Sequence, residues 1–486
     1  MEQEKEQEKI FERLSNLLVS YQQHLREGPF VEYLDPGALL RRLDLDRPGG
    51  NQDWDEVFLW VEQYLRYAVK TGNPGYLNRM WAGANLPSVI GEIVTAVTNT
   101  SACTYETAPV STLMEQYMLR TMLDLVGFKN GTGQMTTGSS NANMIAIMAA
   151  RNSTRPEIKQ HGLAHGPELF AFVNTDAHYS MDRAMNILGL GVNHLIKVPV
   201  DEHGRMRPAA LESSLAEVRK QGGVPFFVAA TAGTTVRGAY DQIEPLLELR
   251  RQYGFWLHVD GAWGGPVIFS EQLRNQFLPH LEEADSFTLD FHKMPGTALM
   301  CNVLLFNQRP DILRQVCSAG DESYIFHLGR DGELRDLGAQ SLQCGRRVDS
   351  LKWFLDWKFY GKQGLAERVE RYLELCAYAE ERILQAPELE LVAPRESFNI
   401  CFRFRTPAGV PAAPFNTRLR ERLHRTSRFL VGTGFVNGEL VVRLLITNTS
   451  IHKPQIDAFL GQVIDTGREL LAERTPHKAT PEAQQA

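Results

Sequence analysis

The sequence has no two cysteines at Cys-x-x-Cys spacing. Its six, Cys103, Cys301, Cys317, Cys344, Cys376 and Cys401, are scattered along 486 residues, and none joins histidines at zinc-ligand spacing. That argues against a disulfide scaffold or a metal site and predicts reduced thiols in a cytoplasmic protein. No apolar run reaches the roughly 18 residues that a membrane span needs. The opening residues, Met1 to Lys9, are polar and lack the apolar core of a signal peptide. Positive charge is not in excess either: 51 Lys and Arg face 58 Asp and Glu, a formal net charge of −7. Nucleic-acid binding by bulk electrostatics is therefore not expected, whereas a local basic pocket is compatible with that balance. There is no internal repeat.

What is present is an ordinary globular composition, 43% apolar and 22% charged. A chain of this length forms about two to four structural units. Ile10, Leu14, Leu17, Leu18 and Tyr21 recur at helical spacing, predicting an amphipathic helix that packs on the main body or on another subunit. A second helix is predicted over 53–71, opening at Asp53. From about 90 to 350, short apolar runs alternate with helical segments. Strands are predicted over 169–174, 195–199, 225–231, 255–259 and 301–306, with helices such as 179–190 and 241–253 between them. The alternation predicts an α/β fold, a mostly parallel sheet with helices on both faces. The last third reads as a helix-rich stretch over 346–386, strands at 398–404, 428–433 and 440–446, and a helix over 453–472. Val436-Asn437-Gly438-Glu439 is a hairpin signal. The expected organisation is an N-terminal helical arm (1–70), a large domain (71–350), a small C-terminal α+β domain (351–474) and a disordered tail (475–486).

Four segments carry groups suited to chemistry. Gly131 to Asn141 is rich in glycine and hydroxyl residues and precedes an apolar helix, Met144 to Ala150. Such a helix start suits a phosphate, and equally an ordinary capped turn. It lacks the Lys-Ser/Thr of a Walker loop. Ala177-His178-Tyr179-Ser180 follows a predicted strand, and a lone histidine there reads first as a cap. Trp256 to Gly265 runs an apolar strand into Asp260, at the carboxyl end where parallel sheets bind ligands; the plain alternative is a helix N-cap. Thr288 to Gly296 places Lys293 in apolar surroundings, where an ammonium loses its proton more readily and the neutral amine so formed attacks carbonyls. Separately each has a bland reading. Together they are the parts that hold pyridoxal 5′-phosphate: a phosphate cradle, a ring to stack on the pyridine, a carboxylate for its nitrogen and an amine for its aldehyde.

With these residues in this order, the sequence resembles the group II pyridoxal-phosphate-dependent amino-acid decarboxylases, of fold type I, and looks closest to the branch of glutamate, cysteine sulfinate and aspartate decarboxylases. The resemblance runs from about Asn73 to Arg468. It includes Asn73-Pro74 to Trp81, Thr98 to Ser101, Gly138 to Arg151, Ala230 to Thr235, Trp256 to Gly265, Asp290 to Lys293 and Leu342 to Arg346. It implies that Lys293 bonds the cofactor's aldehyde, that Asp260 pairs with the pyridine nitrogen and that His178 stacks on the ring. Ser139, Ser140 and Asn141 would hold the phosphate, helped by His292. Thr235 would contact the ring oxygen and Ala262 would pack against the ring. Arg443 matches an arginine that in the family faces the substrate carboxylate. The resemblance also implies a homodimer with active sites at its interface. Aldehyde-forming, aminotransferase or other lyase chemistry on the same fold stays open as an alternative, as does a non-catalytic relative. Retention of both Asp260 and Lys293 argues against the last.

The sequence departs from the family at two places. Family members commonly carry a tyrosine on a mobile loop, thought to protonate the substrate carbon of the neighbouring site. The corresponding stretch here, Tyr324 to Gly338, has no tyrosine shortly before Gly338, which leaves His327 or Tyr324 as the expected donor. In the implied substrate pocket, Ser101 resembles the cysteine-sulfinate and aspartate type, while Cys103 is smaller than the family patterns. Arg79 stands where relatives often have glutamine, and an added cation suits an acidic side chain. The expected reaction is decarboxylation of a short acidic amino acid, aspartate or cysteine sulfinate ahead of glutamate.

Overall fold

The computed structural model describes residues 2–47, 49–329 and 332–473, so the expected tail lies outside the described residues. In chain order the strands are β1 (Tyr76–Leu77), β2 (Thr132–Thr136), β3 (Leu169–Asn174), β4 (Leu195–Val198), β5 (Val224–Thr231), β6 (Trp256–Gly261), β7 (Ser286–Asp290), β8 (Asn302–Phe306), β9 (Leu389–Leu391), β10 (Asn399–Phe404), β11 (Leu430–Val436) and β12 (Glu439–Leu445). Two compact units result. The larger is Met80–Cys376 with Ala393–Asn399; the smaller holds the chain up to Arg79, Ala377–Val392 and the described residues from Ile400.

The larger unit is built on a seven-stranded sheet in the order β2-β8-β7-β6-β5-β3-β4. Neighbours from β7 to β4 run parallel, and β8 runs antiparallel to both its neighbours. The mostly parallel α/β fold is therefore present. β5 is buried at every residue after Val224, as a strand covered on both faces must be. Helices Ser139–Thr154 and Ser180–Ile187 lay Ile145, Ala149, Met181 and Met185 onto Ala171, Val173, Phe227 and Ala229.

Two strands of this sheet were not expected. β7 reads in sequence only as an apolar run leading to Lys293. β2 lies inside the glycine-rich stretch that reads as a loop. Its glycine serves sheet packing: a Cβ on Gly133 would sit 2.7 Å from Leu305 Cδ2 and 2.8 Å from Leu304 O. The candidate phosphate cradle thereby narrows to Gly138–Asn141.

The smaller unit carries a five-stranded sheet, β1-β11-β12-β10-β9. The predicted hairpin is present: Val436 pairs with Glu439, and Asn437 and Gly438 both have positive φ, 51° and 80°. The stripe on the N-terminal helix, Glu2–Gln23, is only half-buried along its length. Helix Trp54–Tyr67 opens at Asp53, whose carboxylate accepts from Asp55 N at 2.9 Å. Among the described residues no helix is long and apolar enough to cross a membrane.

Candidate active site

Of the groups that the sequence singled out, His178, Asp260 and Lys293 lie at the carboxyl ends of the parallel strands β3, β6 and β7, where α/β sheets place ligands, and Ser139 follows β2 at the antiparallel edge of the same sheet. After β2, Gly138 (φ 115°) turns the chain into helix Ser139–Thr154, and no side chain caps that N-terminus. Its first-turn N–H groups and dipole suit an anion. Ser139 Oγ accepts from Asn302 Nδ2 at 2.9 Å, so its own O–H is left to donate. Ser140 is exposed. Asn141 Oδ1 is buried with no hydrogen-bond partner, and exchanging the ends of that amide presents a donor instead.

Asp260 is the last residue but one of β6 and is buried, with both carboxylate oxygens engaged: Oδ1 accepts from Ala262 N at 3.1 Å and Oδ2 from Asn143 Nδ2 at 2.9 Å. The chain of bonds continues inward. Asn143 Nδ2 also donates to Ser180 Oγ at 3.0 Å, so Asn143 Oδ1 must accept, and His258 Nε2 supplies the proton at 3.0 Å. His258 Nδ1 lies 2.8 Å from Ser286 Oγ, which in turn accepts from Trp256 Nε1 at 2.8 Å. Burial lowers the pKa of His258 to about 4, so its ring is neutral and its Nδ1 accepts from Ser286. None of Asn143, Ser286 or His258 was assigned a role from sequence. Only the two-residue spacing of His258 and Asp260, which puts both on one face of β6, pointed to it.

Lys293 follows β7. Its ammonium sits 2.8 Å from Asp290 Oδ2, with 19% of the lysine side chain and 3% of the aspartate exposed. Burial raises the Asp290 pKa, but Lys293, His292 and hydrogen bonds from Lys293 and Asn302 outweigh it and leave it below its ordinary value. Asn302 Nδ2 reaches Asp290 Oδ1 at 2.7 Å as well as Ser139, so one amide ties the cradle to the counter-ion of Lys293. Sequence reasoning missed Asp290 as that counter-ion, although an acid three residues before a buried lysine was a usable signal. His292 is buried, donates through Nδ1 to Cys301 O at 2.8 Å and lies 3.8 Å from Asp290.

His178 stands after β3 and accepts from Ser180 N at Nδ1, 3.2 Å. Burial lowers its pKa; Lys293 and Arg183 push the same way, while Asp260 and Asp290 oppose them. The imidazole thus feels both carboxylates and the lysine. Ala262 is half-buried beside Asp260, and Trp263 donates to Asn399 Oδ1 at 2.7 Å. Asn399 Nδ2 donates to Thr235 O at 3.1 Å and Val236 O at 3.0 Å, fixing the turn that carries Thr235.

Ser101 and Cys103 lie on a strip held by the loop that begins at Tyr324. Asp336 accepts from Tyr105 N at 2.7 Å and from His327 N at 2.9 Å, and Gly338 N donates to Cys103 O at 2.8 Å. Tyr324 is 80% exposed. His327 is also exposed and lines a cleft of about 550 Å³ with Thr104, Tyr105 and Glu106. No hydrogen bond among the described residues joins either to Lys293. Arg79 and Arg443 belong to the smaller unit. Arg443 is buried and donates to Asn78 O at 3.3 Å; burial lowers its pKa, and the charge of Arg79 lowers it further.

A fixed carboxylate, a paired lysine, a half-buried imidazole and an uncapped helix start, at the ends of β6, β7, β3 and β2 of one sheet, fit pyridoxal 5′-phosphate. The fold and these groups define a fold-type I pyridoxal-phosphate enzyme. Residues 36–405 match the pyridoxal-dependent decarboxylase conserved domain, and the chain belongs to that family. It is 34% identical over 452 residues to cysteine sulfinic acid decarboxylase of Homo sapiens, spanning 90% of this chain and 91% of that one. It is 35% identical over 451 residues to acidic amino acid decarboxylase GADL1 of Bos taurus, spanning 90% and 86%. The crystal structure of mouse CSAD matches with a TM-score of 0.90 at 32% identity, over 95% of this chain and 98% of that one. The chain is thus a carboxy-lyase that acts on an amino acid with pyridoxal 5′-phosphate, in the branch of these relatives.

Proposed function

We propose that the substrate is a short acidic L-amino acid, aspartate or cysteine sulfinate ahead of glutamate, converted to its amine and CO2. The observation that carries this reading is a buried guanidinium in the smaller unit, Arg443, with the exposed Arg79 near enough for its charge to add to the lowering of pKa that burial causes at Arg443 and at Arg420. An anionic substrate relieves that repulsion. The relatives named for cysteine sulfinic acid and for acidic amino acids point the same way.

Pyridoxal 5′-phosphate, when bound, supplies the electron sink for loss of CO2. In this reading Lys293 would hold it, Asp260 would serve its ring nitrogen and His178 its ring. Ser139, Ser140 and Asn141 would hold its phosphate with His292, and Thr235 and Ala262 would line its site. Arg79 and Arg443 are the candidate partners of the substrate's carboxylates, and Ser101 and Cys103 are candidate substrate contacts. His327 or Tyr324 donates the proton to the substrate carbon. Both are exposed in the single chain, as befits a loop that serves the neighbouring site of a homodimer.

The dimer is supported by helix Leu86–Thr98. Leu86, Ile90, Ile93, Val94 and Val97 are exposed along one face, while Ser88, Gly91 and Thr95 are buried on the other. Val110 and Leu113 of helix Pro109–Val126 are exposed too. An apolar outer face over a small, polar inner one inverts the usual pattern and suits a second copy of the chain. The free thiols suit the cytoplasm.

The test is a panel of aspartate, cysteine sulfinate, glutamate, tyrosine and leucine, read by amine and CO2 release. Preference for tyrosine or leucine overturns the substrate reading. His327→Ala and Tyr324→Phe both leaving amine formation unchanged overturns the donor reading.

A further inference from the structure

We propose that Cys103 and Cys344 form a redox-modifiable thiol pair, which a peroxide closes to an intrachain disulfide. The two sulfurs lie 3.6 Å apart although 241 residues separate them in sequence. Their backbones are already joined. Ala102 N donates to Arg346 O at 2.8 Å, Arg346 N donates to Ser101 Oγ at 3.1 Å, and Ser101 pairs with Arg347 in an antiparallel bridge. The second strip is anchored in turn, because the buried Arg346 guanidinium holds Glu115 at 2.8 Å. These bonds hold the two strips side by side, and a disulfide draws the sulfurs from 3.6 Å to roughly 2.05 Å.

The two thiols have different parts. Cys344 is exposed and meets a small oxidant first. Cys103 is buried, and its thiol is pushed up to about 11 by burial, by its hydrogen bond with Cys344 and by the charges of Cys344 and Asp336, against the pull of Arg346. It is a poor target for a solvent oxidant but stands against the sulfur that has been oxidised. The Cys344 sulfur attacks one oxygen of hydrogen peroxide, the O–O bond breaks, and a sulfenic acid and water result. The Cys103 sulfur then attacks the Cys344 sulfur, its proton leaves with the hydroxyl as a second water, and the S–S bond forms. Two thiols are oxidised by two electrons and one peroxide is reduced to two waters.

The consequence for catalysis rests on the reading that the strip at 101–103 lines the substrate pocket. A Cβ on Gly338 would lie 2.8 Å from Cys103 Sγ and 2.7 Å from the Phe326 ring, so the sulfur fills space beneath the loop from Tyr324. Drawing it toward Cys344 changes that wall, and the KM for substrate rises.

Holoenzyme treated with a small excess of hydrogen peroxide, alkylated and digested for mass spectrometry tests this. Expected are loss of two of the six thiols, a Cys103–Cys344 cross-linked peptide lighter by about 2 Da, and full recovery with dithiothreitol. In Cys103→Ser, dimedone traps the sulfenic acid on Cys344. Cys344→Ser keeps its decarboxylase activity and loses the dithiothreitol-reversible inhibition by peroxide. A wild-type digest with Cys344 over-oxidised and uncross-linked, or joined to Cys344 of a second chain, overturns the pair. A cross-link that forms while KM stays unchanged leaves the pair standing and overturns the pocket reading.

Discussion

Asn143 is turned so that its Nδ2 donates to Asp260 at 2.9 Å, and it is His258, 3.0 Å from the amide oxygen, that holds it that way. The opposite orientation would set two acceptors against each other at the carboxylate. A directed line of protons therefore runs from Trp256 through Ser286, His258 and Asn143 to Asp260. Asn143→Leu removes the last donor while keeping the volume. A hydrogen bond to a charged group is worth about 1.5–3 kcal/mol. The dissociation constant for pyridoxal 5′-phosphate, from absorbance titration of the apoenzyme, is expected to rise about tenfold to a hundredfold. Unchanged affinity would show that Asp260 needs no such holder.

The neutral state of His258 has a pH signature. Its pKa falls to about 4 on folding because the ring is buried, against about 6.5 in an unfolded chain. Between those values the unfolded chain binds the proton and the folded one does not. Stability from this group is therefore present above pH 6.5 or so and lost as pH falls toward 4, over a range of about 3 kcal/mol. Asp241, pushed up to about 6 by burial from 3.8, opposes it across part of the same window, because there the folded state holds the extra proton. The measurement is accordingly a difference: Tm against pH for wild type and His258→Gln, with the variant losing less stability on acidification.

Glu115 and Arg346 form a two-pronged pair, 2.8 and 3.0 Å, with side chains 2% and 6% exposed. Removing one partner strands the other in the interior, which costs about 3–5 kcal/mol. Glu115→Gln is expected to lower Tm by many degrees. Arg346→Lys is expected to do so as well, because an ammonium cannot make both bonds.

How much of this was legible follows the period of each element. β3 and the hairpin at Asn437-Gly438 could be read because apolar run length and turn chemistry are local properties. β2 could not, since a strand containing glycine reads as a loop until Leu304 and Leu305 are seen packed against Gly133. β1, two residues pairing in parallel with β11, has no period at all. At the site, Lys293, Asp260 and His178 could be nominated because each belongs to an ordered set of motifs. Asn143, Ser286 and Asn302 could not, since an amide or a hydroxyl gains its role only from the direction of bonds made across the sheet.

Arg443→Lys tests the substrate reading at one atom group. A lysine keeps the charge but loses the planar fork that takes a carboxylate by two bonds. KM for aspartate and cysteine sulfinate is expected to rise about tenfold or more, with cofactor absorbance unchanged. An equal KM for both proteins would remove Arg443 from the substrate.

The inverted helix Leu86–Thr98 gives the prediction with the cleanest control. Ile93 is 50% exposed and Val97 65% exposed, so charges placed there meet water in the single chain and cost the fold little, within about 0.5 kcal/mol each. In a dimer that covers this face, the same two charges would be buried without partners, a penalty of several kcal/mol at each of two symmetric copies. Ile93→Glu with Val97→Glu is therefore expected to leave far-UV circular dichroism unchanged and to halve the mass by light scattering. If the loop from Tyr324 serves the neighbouring site, decarboxylation falls with the mass while cofactor absorbance persists. A double variant that keeps the wild-type mass moves the interface elsewhere, and one that is monomeric yet fully active confines the proton donor to its own chain.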